Sequence, residues 1–443
     1  MKLSHPFDLV IGADRSDAKA DLCLIDTHTG QLERLALSIR PEALHDWLAK
    51  LRARYPRAHV AVCVEQPATD IIVFLESYSW ITLYPINPLT LLKYREAFVT
   101  SRAKDDTKDA DHLAELLLIH HHKLTPWQPE DPATRRLQQL VLHRRAVINE
   151  RTRLTNRLQA ILKQYFPQAL ELCGEELWRP LATRFLLKWP SLRAAQKVRP
   201  ALLRQFYHLQ GSRSAPLVER RMKLLVSAVP LTDEKALIDT FALRVQLICQ
   251  ELELVVRAIA EFERQIAEVF AAHPDRDIFA SLPGAGPVLA PRLLATLGTQ
   301  RERYPRSANL QCFSGVAPVT KQSGGKCHVH RRYRCPLFQR QSFHEYAKES
   351  ILHCRWAAAF YQQQTKRGAP YHTAIRALAF KWQRVIWKCW QDRKPYSEAI
   401  YESALKRRGS LLAPRLKQIE VGKSPVKNSV TNSKKSIVGS PQR

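Results

Sequence analysis

The sequence predicts an α/β domain, a mixed sheet with helices on its faces, followed by a helical coiled-coil middle and a mainly helical C-terminal domain. Three observations predict this: strand and helix patterns alternate over the first hundred residues, a heptad-like apolar repeat runs through residues 245–269, and charge divides sharply between the two parts of the chain. Residues 8–13 form a short apolar run, residues 20–25 and 31–38 alternate, and residues 42–55 space their apolar side chains as a helix does. Residues 59–64 are again apolar and β-branched, 70–78 read as helix, 81–86 as strand and 109–120 as an amphipathic closing helix. Three meandering strands followed by strand-helix pairs give a mixed sheet with helices packed on it.

Beyond about residue 126 the pattern turns helical. Val245, Ile248, Leu252, Val255, Ile259, Phe262, Ile266 and Val269 recur at spacings of three and four, the seam of a coiled coil. Residues 133–165 carry Leu140, Val147, Leu154, Leu158 and Ile161 in a similar register, with Arg144 and Arg151 inside it. Either these two helices pair antiparallel, or the second dimerises with another chain. Residues 278–408 open on a Pro-Gly-x-Gly turn holding Gly284 and Gly286, before an apolar helix that admits Pro291 in its first turn and stops at Gly298. A turn of this kind resembles the helix-hairpin-helix element, whose glycine amides sit against a DNA phosphate; a tight inter-helix turn is the alternative. The expected domains are thus 1–125, 126–277 and 278–408, with 409–443 a basic disordered tail.

Of 443 residues, 69 are Lys or Arg and 41 Asp or Glu, a formal charge of +28. Residues 1–125 hold 15 basic against 17 acidic residues and residues 126–443 hold 54 against 24, so a near-neutral domain precedes a strongly basic one. That surplus points to a polyanionic partner, nucleic acid first. No apolar run reaches the ~18 residues of a membrane span, and Asp8 interrupts any signal-peptide core, so the expected location is the cytoplasm, at the nucleoid in a bacterium. Nine scattered cysteines without framework spacing read as reduced thiols. An actin-like ATPase also begins with an Asp-bearing strand, but the absence of glycine between Gly30 and Gly174 denies it phosphate loops.

Four carboxylates stand where a metal site would want them. Asp14 ends the first strand, Glu65 ends the strand at 59–64, and Asp106 and Asp109 lie three apart at a helix start, on one face. Clustered like charges repel unless a cation neutralises them, and hard oxygen donors suit Mg2+ or Mn2+. Two such ions ~4 Å apart stabilise both the entering and leaving oxygens of a phosphodiester displacement. Asp17, Asp70, Asp105 and Asp111 read as surface acids.

With these residues in order, a resemblance becomes specific. Asp14, Glu65-Gln66-Pro67 and Lys104-Asp105-Asp106-Thr107-Lys108-Asp109 resemble the DEDD motif of insertion-sequence transposases related to the pilin-inversion recombinase, also called bridge-RNA-guided recombinases. Leu282-Pro283-Gly284-Ala285-Gly286, then Phe313-Ser314-Gly315-Val316-Ala317-Pro318, then Gln322-Ser323-Gly324-Gly325-Lys326 resemble that family's C-terminal transposase domain. The departures are Asp105, often Thr, and Thr107-Lys108, commonly Arg-Ile; Asp105 or Asp111 can substitute if the frame slips. The resemblance implies a RuvC-like, ribonuclease-H-like N-terminal domain with Asp14, Glu65, Asp106 and Asp109 as metal-binding tetrad and Ser323 as nucleophile. It also implies donor and target DNA, a guide RNA, and a homo-oligomer, dimer or tetramer, in which one subunit's tetrad completes a site with another's serine. A serine hydroxyl is a weak nucleophile and its target phosphate is charged, so Lys321, Lys326, Arg331 and Arg332 are expected to neutralise it, and Gly324 and Gly325 to let DNA approach.

Other residues carry blander readings. Cys327, His328, His330 and Cys335 offer soft ligands but no second pair at zinc-finger spacing, favouring a basic DNA-facing loop. His120, His121 and His122 read as exposed side chains at a helix C-terminus, without metal. Residues 380–390 mix aromatic and basic side chains at helical spacing, favouring buried packing over base stacking. The alternatives to a serine recombinase are a Holliday-junction-type metal nuclease in which Ser323 is structural, and a non-catalytic nucleic-acid-binding protein.

Overall fold

The computed structural model describes residues 5–66, 69–98 and 106–418, with the side chains of Thr69, Asp106, Thr107, Arg415, Lys417 and Gln418 outside that description. The chain divides into two compact units, Met1–Pro129 and Glu130–Arg443.

In the first unit, β1 (Leu9–Arg15), β2 (Lys19–Asp26) and β3 (Leu32–Ser38) meander antiparallel. After α1 (Pro41–Arg54), β4 (Val60–Glu65) pairs parallel with β1, and after α2 (Thr69–Leu75), β5 (Ile81–Ile86) pairs parallel with β4. The sheet order is β3-β2-β1-β4-β5. Central β1 and β4 are buried on both faces, which explains their unbroken apolar runs; edge strand β3 alternates because one of its faces meets water. α3 (Pro88–Phe98) and α4 (Asp106–His120) complete the unit. One sheet face packs Ile11, Ala13, Val62 and Val64 against Leu48 and Leu51 of α1 and Ile71 and Leu75 of α2. The other packs Val10, Ala61 and Cys63 against Leu91 of α3 and Leu113, Leu116 and Leu117 of α4. The histidines at the end of α4 are not all exposed as expected. His121 is half-buried, its ring edge-on to His5 at 4.5 Å, because the chain's start folds over it.

The second unit is built on α5 (Pro132–Tyr165) and, after the short helices α6 (Ala169–Cys173), α7 (Pro180–Lys188), α8 (Leu192–Gln196), α9 (Pro200–Leu209) and α10 (Ala215–Ser227), on α11 (Lys235–Ala271). α5 starts cleanly: Asp131 accepts from Thr134 N and Pro132 supplies the first helical residue. α5 and α11 pair antiparallel within the chain. Thr134 Oγ1 lies 2.9 Å from His273 Nε2 at one end, Arg144 meets Glu263 at 2.5 Å, and Tyr165 stacks on Phe241 at 5.4 Å at the other. The seam is apolar at both ends and charged between. Leu154, Leu158 and Leu162 join Val245, Ile248 and Leu252 in one core, while Leu137, Val141 and Ile266 join another. Between them Arg144 pairs with Glu263 and Arg151 lies over the Trp178 ring at 4.2 Å, which gives both seam arginines partners.

The second core is closed by α12 (Arg276–Ala280), α13 (Gly286–Leu297), α14 (Ser307–Phe313), α15 (Leu337–His353), α16 (Arg355–Lys366), α17 (Tyr371–Gln391) and α18 (Glu398–Arg407). Trp382, Ile386 and Trp390 of α17 are fully buried, with Trp382 Nε1 donating to Ser350 and Trp390 Nε1 to Gly298 O, so this segment is core. Two expectations fail here. Residues 319–330 form a hairpin, β6 (Val319–Ser323) and β7 (Lys326–His330), not a loop. Residues 409–418, placed in the tail, carry Leu412 and Leu416 into the core, because two leucines four apart can cap an apolar surface even in a basic segment. Residues 419–443 lie outside the described residues. Among the described residues no helix is long and apolar enough to cross a membrane.

Candidate active site

Strand alternation decides which acids share a face. Val10 faces α4, as does Gly12, whose missing side chain admits the α4 backbone: a Cβ there would lie 2.9 Å from Leu113 Cβ and nearer still to Ala110 O and Ala114 N. Asp14 is next in that phase. Arg15, in the opposite phase, reaches α2 and pairs with Asp70 at 2.7 Å. On β4, Ala61 and Cys63 face α4, and so does Glu65. Because Ala13 pairs with Val64 in the parallel register, Asp14 and Glu65 are the next residue on each of two neighbouring strands. Both are half-buried. Asp109, on the first turn of α4, is 5% exposed and accepts from Arg95 Nη1 at 3.0 and 3.2 Å. The carboxylate of Asp106, one turn earlier on the same helix, lies outside the described residues. Asp111 accepts from Arg34 Nε at 2.8 Å on the β3 side.

Two residues at this site escaped the sequence. Asp21 pairs across the antiparallel ladder with Asp14, shares the α4 face with Cys23, and is 6% exposed, with Lys19 Nζ at 3.0 Å. Its signal was an acid in the same phase as Cys23 and Ile25 on a buried strand. Arg95 carried no signal, because a cation on an otherwise ordinary helix reads as solvated. The donor chemistry fits a hard divalent cation, all oxygen on one sheet face. Among the described residues no three His, Cys, Asp or Glu side chains gather closely enough to hold one. Asp109 is held by the Arg95 guanidinium.

In the second unit Ser323 ends β6, opposite Lys326, at a two-residue turn of Gly324 (φ 54°) and Gly325 (φ 78°). Positive φ at both positions is what a tight hairpin turn demands, and nothing lies within 4 Å of either missing side chain. Lys321, Gln322, Ser323 and all of β7 are exposed. Alternation puts Lys321 and Ser323 on one face of the ribbon, while the stacked rings of His328 and His330, 6.3 Å apart, lie in the opposite phase from Cys327. Gly284 (φ 76°) is accounted for by packing, since a Cβ there would lie 2.7 Å from His353 Cδ2; the space beside Gly286 (φ 53°) is open.

Residues 11–167 match a family model described as transposase, and residues 276–362 match one described as transposase of the IS116/IS110/IS902 family. The "Mini-circle putative transposase for IS117" of Streptomyces coelicolor is 25% identical over 394 residues, covering 87% of this chain and 95% of its own. Two proteins of insertion elements, the IS110 uncharacterized 43.6 kDa protein of the same organism and the IS116 uncharacterized 44.8 kDa protein of Streptomyces clavuligerus, are 26% and 25% identical, each over 67% of this chain and 73% of theirs. The class is therefore that of the transposases, enzymes that cut and rejoin DNA. Both matches fall on the two parts that carry the acids and the serine ribbon. Within the class, the chain belongs to the IS110-type family of insertion-sequence DEDD transposases.

Proposed function

We propose that this transposase cuts and rejoins DNA through a covalent link between Ser323 and a strand end, with Asp14, Glu65, Asp106 and Asp109 holding Mg2+ or Mn2+ in a ribonuclease-H-like domain. The observation that carries the reading is the placement of Ser323 at the exposed tip of a ribbon whose flanking residues are cationic and whose turn leaves room for a backbone to approach. The strand order β3-β2-β1-β4-β5, with Asp14 near the end of β1 and Glu65 ending the neighbouring parallel β4, supports the fold assignment.

Ser323 Oγ attacks a backbone phosphorus, a P–O bond to the departing strand breaks, and the freed oxygen takes up the serine proton. Attack by another strand's hydroxyl on the serine phosphodiester reverses the step and joins DNA. A divalent cation held by Asp14, Glu65, Asp106 and Asp109 would neutralise charge at the phosphate and stabilise the leaving oxygen. Lys321 stands on the serine's face of the ribbon to meet the phosphate charge, with Lys326, Arg331 and Arg332 adding positive potential. The domains divide near 125 and 277, the last of them including Leu412 and Leu416, and the α5–α11 pair acts as an intramolecular coiled coil. The subunits assemble as a homo-oligomer, one subunit's acids serving another's serine, in the bacterial cytoplasm at the nucleoid, and an RNA selects donor and target. The +30 of residues 126–443 accommodates both polyanions.

The test is to incubate the protein, with RNA co-expressed from the element's flanks, with donor and target DNA in Mg2+ and look for a covalent protein-DNA adduct. An adduct lost in Ser323→Ala and Asp14→Ala is expected. Cleavage that survives Ser323→Ala without an adduct sinks the serine chemistry.

A further inference from the structure

The segment that follows the serine ribbon is pinned in an unusual electrostatic setting. Arg340, on the first turn of α15, folds back so that Nη1 donates to Arg332 O at 3.2 Å and lies 3.3 Å from Cys335 Sγ. Cys335 fills the space beside Gly315, where a Cβ would lie 2.5 Å from the cysteine's own Cβ. Residues 331–335 are thereby fastened to the core just below the ribbon. His344 lies one helical turn beyond Arg340, and Arg376 reaches the same place from α17, which packs along α15.

The charged neighbours that act most strongly on His344 are cations or can become one: Arg376, Arg340, Arg331 and His372. Arg376 feels Arg331 and Arg340, with only the Tyr333 phenol opposing them. The acid adjacent to His344, Glu345, is engaged elsewhere with Arg145 and Arg292. Burial and these cations push the His344 imidazole down to about 4 and lower the Arg376 guanidinium from its ordinary value. Among the described residues His344 Nε2 and Arg376 Nε, and Arg332 Nε on the pinned segment, are buried without a hydrogen-bond partner. Orphaned buried nitrogens amid mutual repulsion are costly unless something supplies acceptor oxygens and negative charge.

We propose that Arg331, Arg332, Arg340, His344 and Arg376 form a phosphate seat that grips the backbone of the strand presented to Ser323. A phosphodiester satisfies the site chemically: its oxygens accept from the orphaned nitrogens and its charge relieves the repulsion. The position also sets which phosphate is held. Ser323 pairs with Lys326 at the tip of the ribbon and Val319 with His330 at its base, four residues along, or about 14 Å at ~3.4 Å per residue. That span matches roughly four base steps of a DNA strand at ~3.4 Å each. The seat therefore fixes the register of the strand while the serine acts several nucleotides away. This assignment rests on the proposed serine chemistry only for its orientation; the binding itself needs no reaction.

The experiment measures binding of fluorescein-labelled 30-mers, one duplex DNA and one single-stranded RNA, to the full chain in EDTA across a salt series. Arg376→Gln is expected to weaken binding about tenfold and to lower the slope of log affinity against log salt by about one. Arg376→Lys should keep most of the slope, and Arg193→Gln, remote on α8, should change nothing. The loss is expected in the DNA arm; a loss confined to the RNA arm would overturn the assignment of the seat to the strand that meets Ser323. Should Arg376→Gln melt early, the parent protein decides: nuclear magnetic resonance of the imidazoles, with His344→Gln as assignment control, should show the His344 pKa rising when oligonucleotide binds. Unchanged affinity and slope for a folded Arg376→Gln in both arms, or a His344 pKa unmoved by both oligonucleotides, overturns the seat. Because no cleavage is read, a missing serine adduct in the earlier assay leaves this result standing.

Discussion

Replacing Gly12 by alanine tests whether the acids of the first unit are placed by close contact between α4 and β1. The backbone of Gly12 is not left-handed, so the substitution costs nothing in conformation and acts by sterics alone. The new methyl would lie 2.9 Å from Leu113 Cβ and would wedge closer still against Ala110 O and Ala114 N, the acceptor and donor of one helical hydrogen bond. Backbone atoms cannot sidestep, so α4 has to retreat by about 1 Å, which forfeits a quarter to half of the dispersion energy across the contact. Overpacking of this kind costs about 1–3 kcal/mol. A loss of ~2 kcal/mol corresponds to roughly 30-fold faster amide exchange by local opening. Hydrogen-exchange mass spectrometry should show that change in peptides covering β1 and α4, with peptides of α17 unaltered. DNA cleavage should fall with it, because Asp109 rides on the same helix. Parent-like exchange and cleavage in Gly12→Ala would refute the placement of the acids by this contact.

Arg95→Gln removes the guanidinium that holds Asp109, and Mn2+ affinity read by electron paramagnetic resonance should rise about tenfold, whereas weaker binding would mean that Arg95 orients the acid for the ion. His344 should make the second unit acid-sensitive. Its folded pKa is lowered to about 4 from 6.5, so the unfolded chain binds the extra proton first, and the stability His344 contributes is full above pH 6.5 and lost as pH falls towards 4. Urea unfolding at pH 7 and 4.5 should show a smaller difference in His344→Gln. Gly325→Val places a β-branched residue at φ 78° and should abolish the serine adduct while leaving the melting of the unit within about 1 °C, since neither face of the ribbon supports the core.

Much of the first unit was legible because sheet and helix periods are enforced by burial. Strands β1 and β4 are covered on both faces and show it as unbroken apolar runs, and Asp14 and Glu65 stand out as the acids that end them. Asp21 shares its phase with Cys23 and Ile25, a signal that does not say whether that face meets water or α4. The serine ribbon carried a readable signal, Gly324-Gly325 between residues of alternating character. It was submerged in the helical pattern around it and in a basic composition that reads as loop. Leu412 and Leu416 were hidden for a related reason, because the charge of the tail outweighs two leucines in any average taken over it. The antiparallel partner of α11 was undecidable from the heptads alone. What settles it is tertiary: Arg144 finds Glu263 and Tyr165 stacks on Phe241, both on α11, while Arg151 is partnered by Trp178 beside the seam.

That helix pair has a mechanical consequence. α5 and α11 have 34 and 37 residues, about 50–55 Å of shared length at ~1.5 Å per residue, and they carry one core at each end with a charged waist between. A stiff rod fixed in two cores behaves as a lever. A tilt of about 6° at the far core, over ~50 Å, moves the near core by about 5 Å, one helical pitch. A tilt at the end that packs Leu154, Leu158 and Leu162 is therefore carried along the rod to the core that bears the serine ribbon.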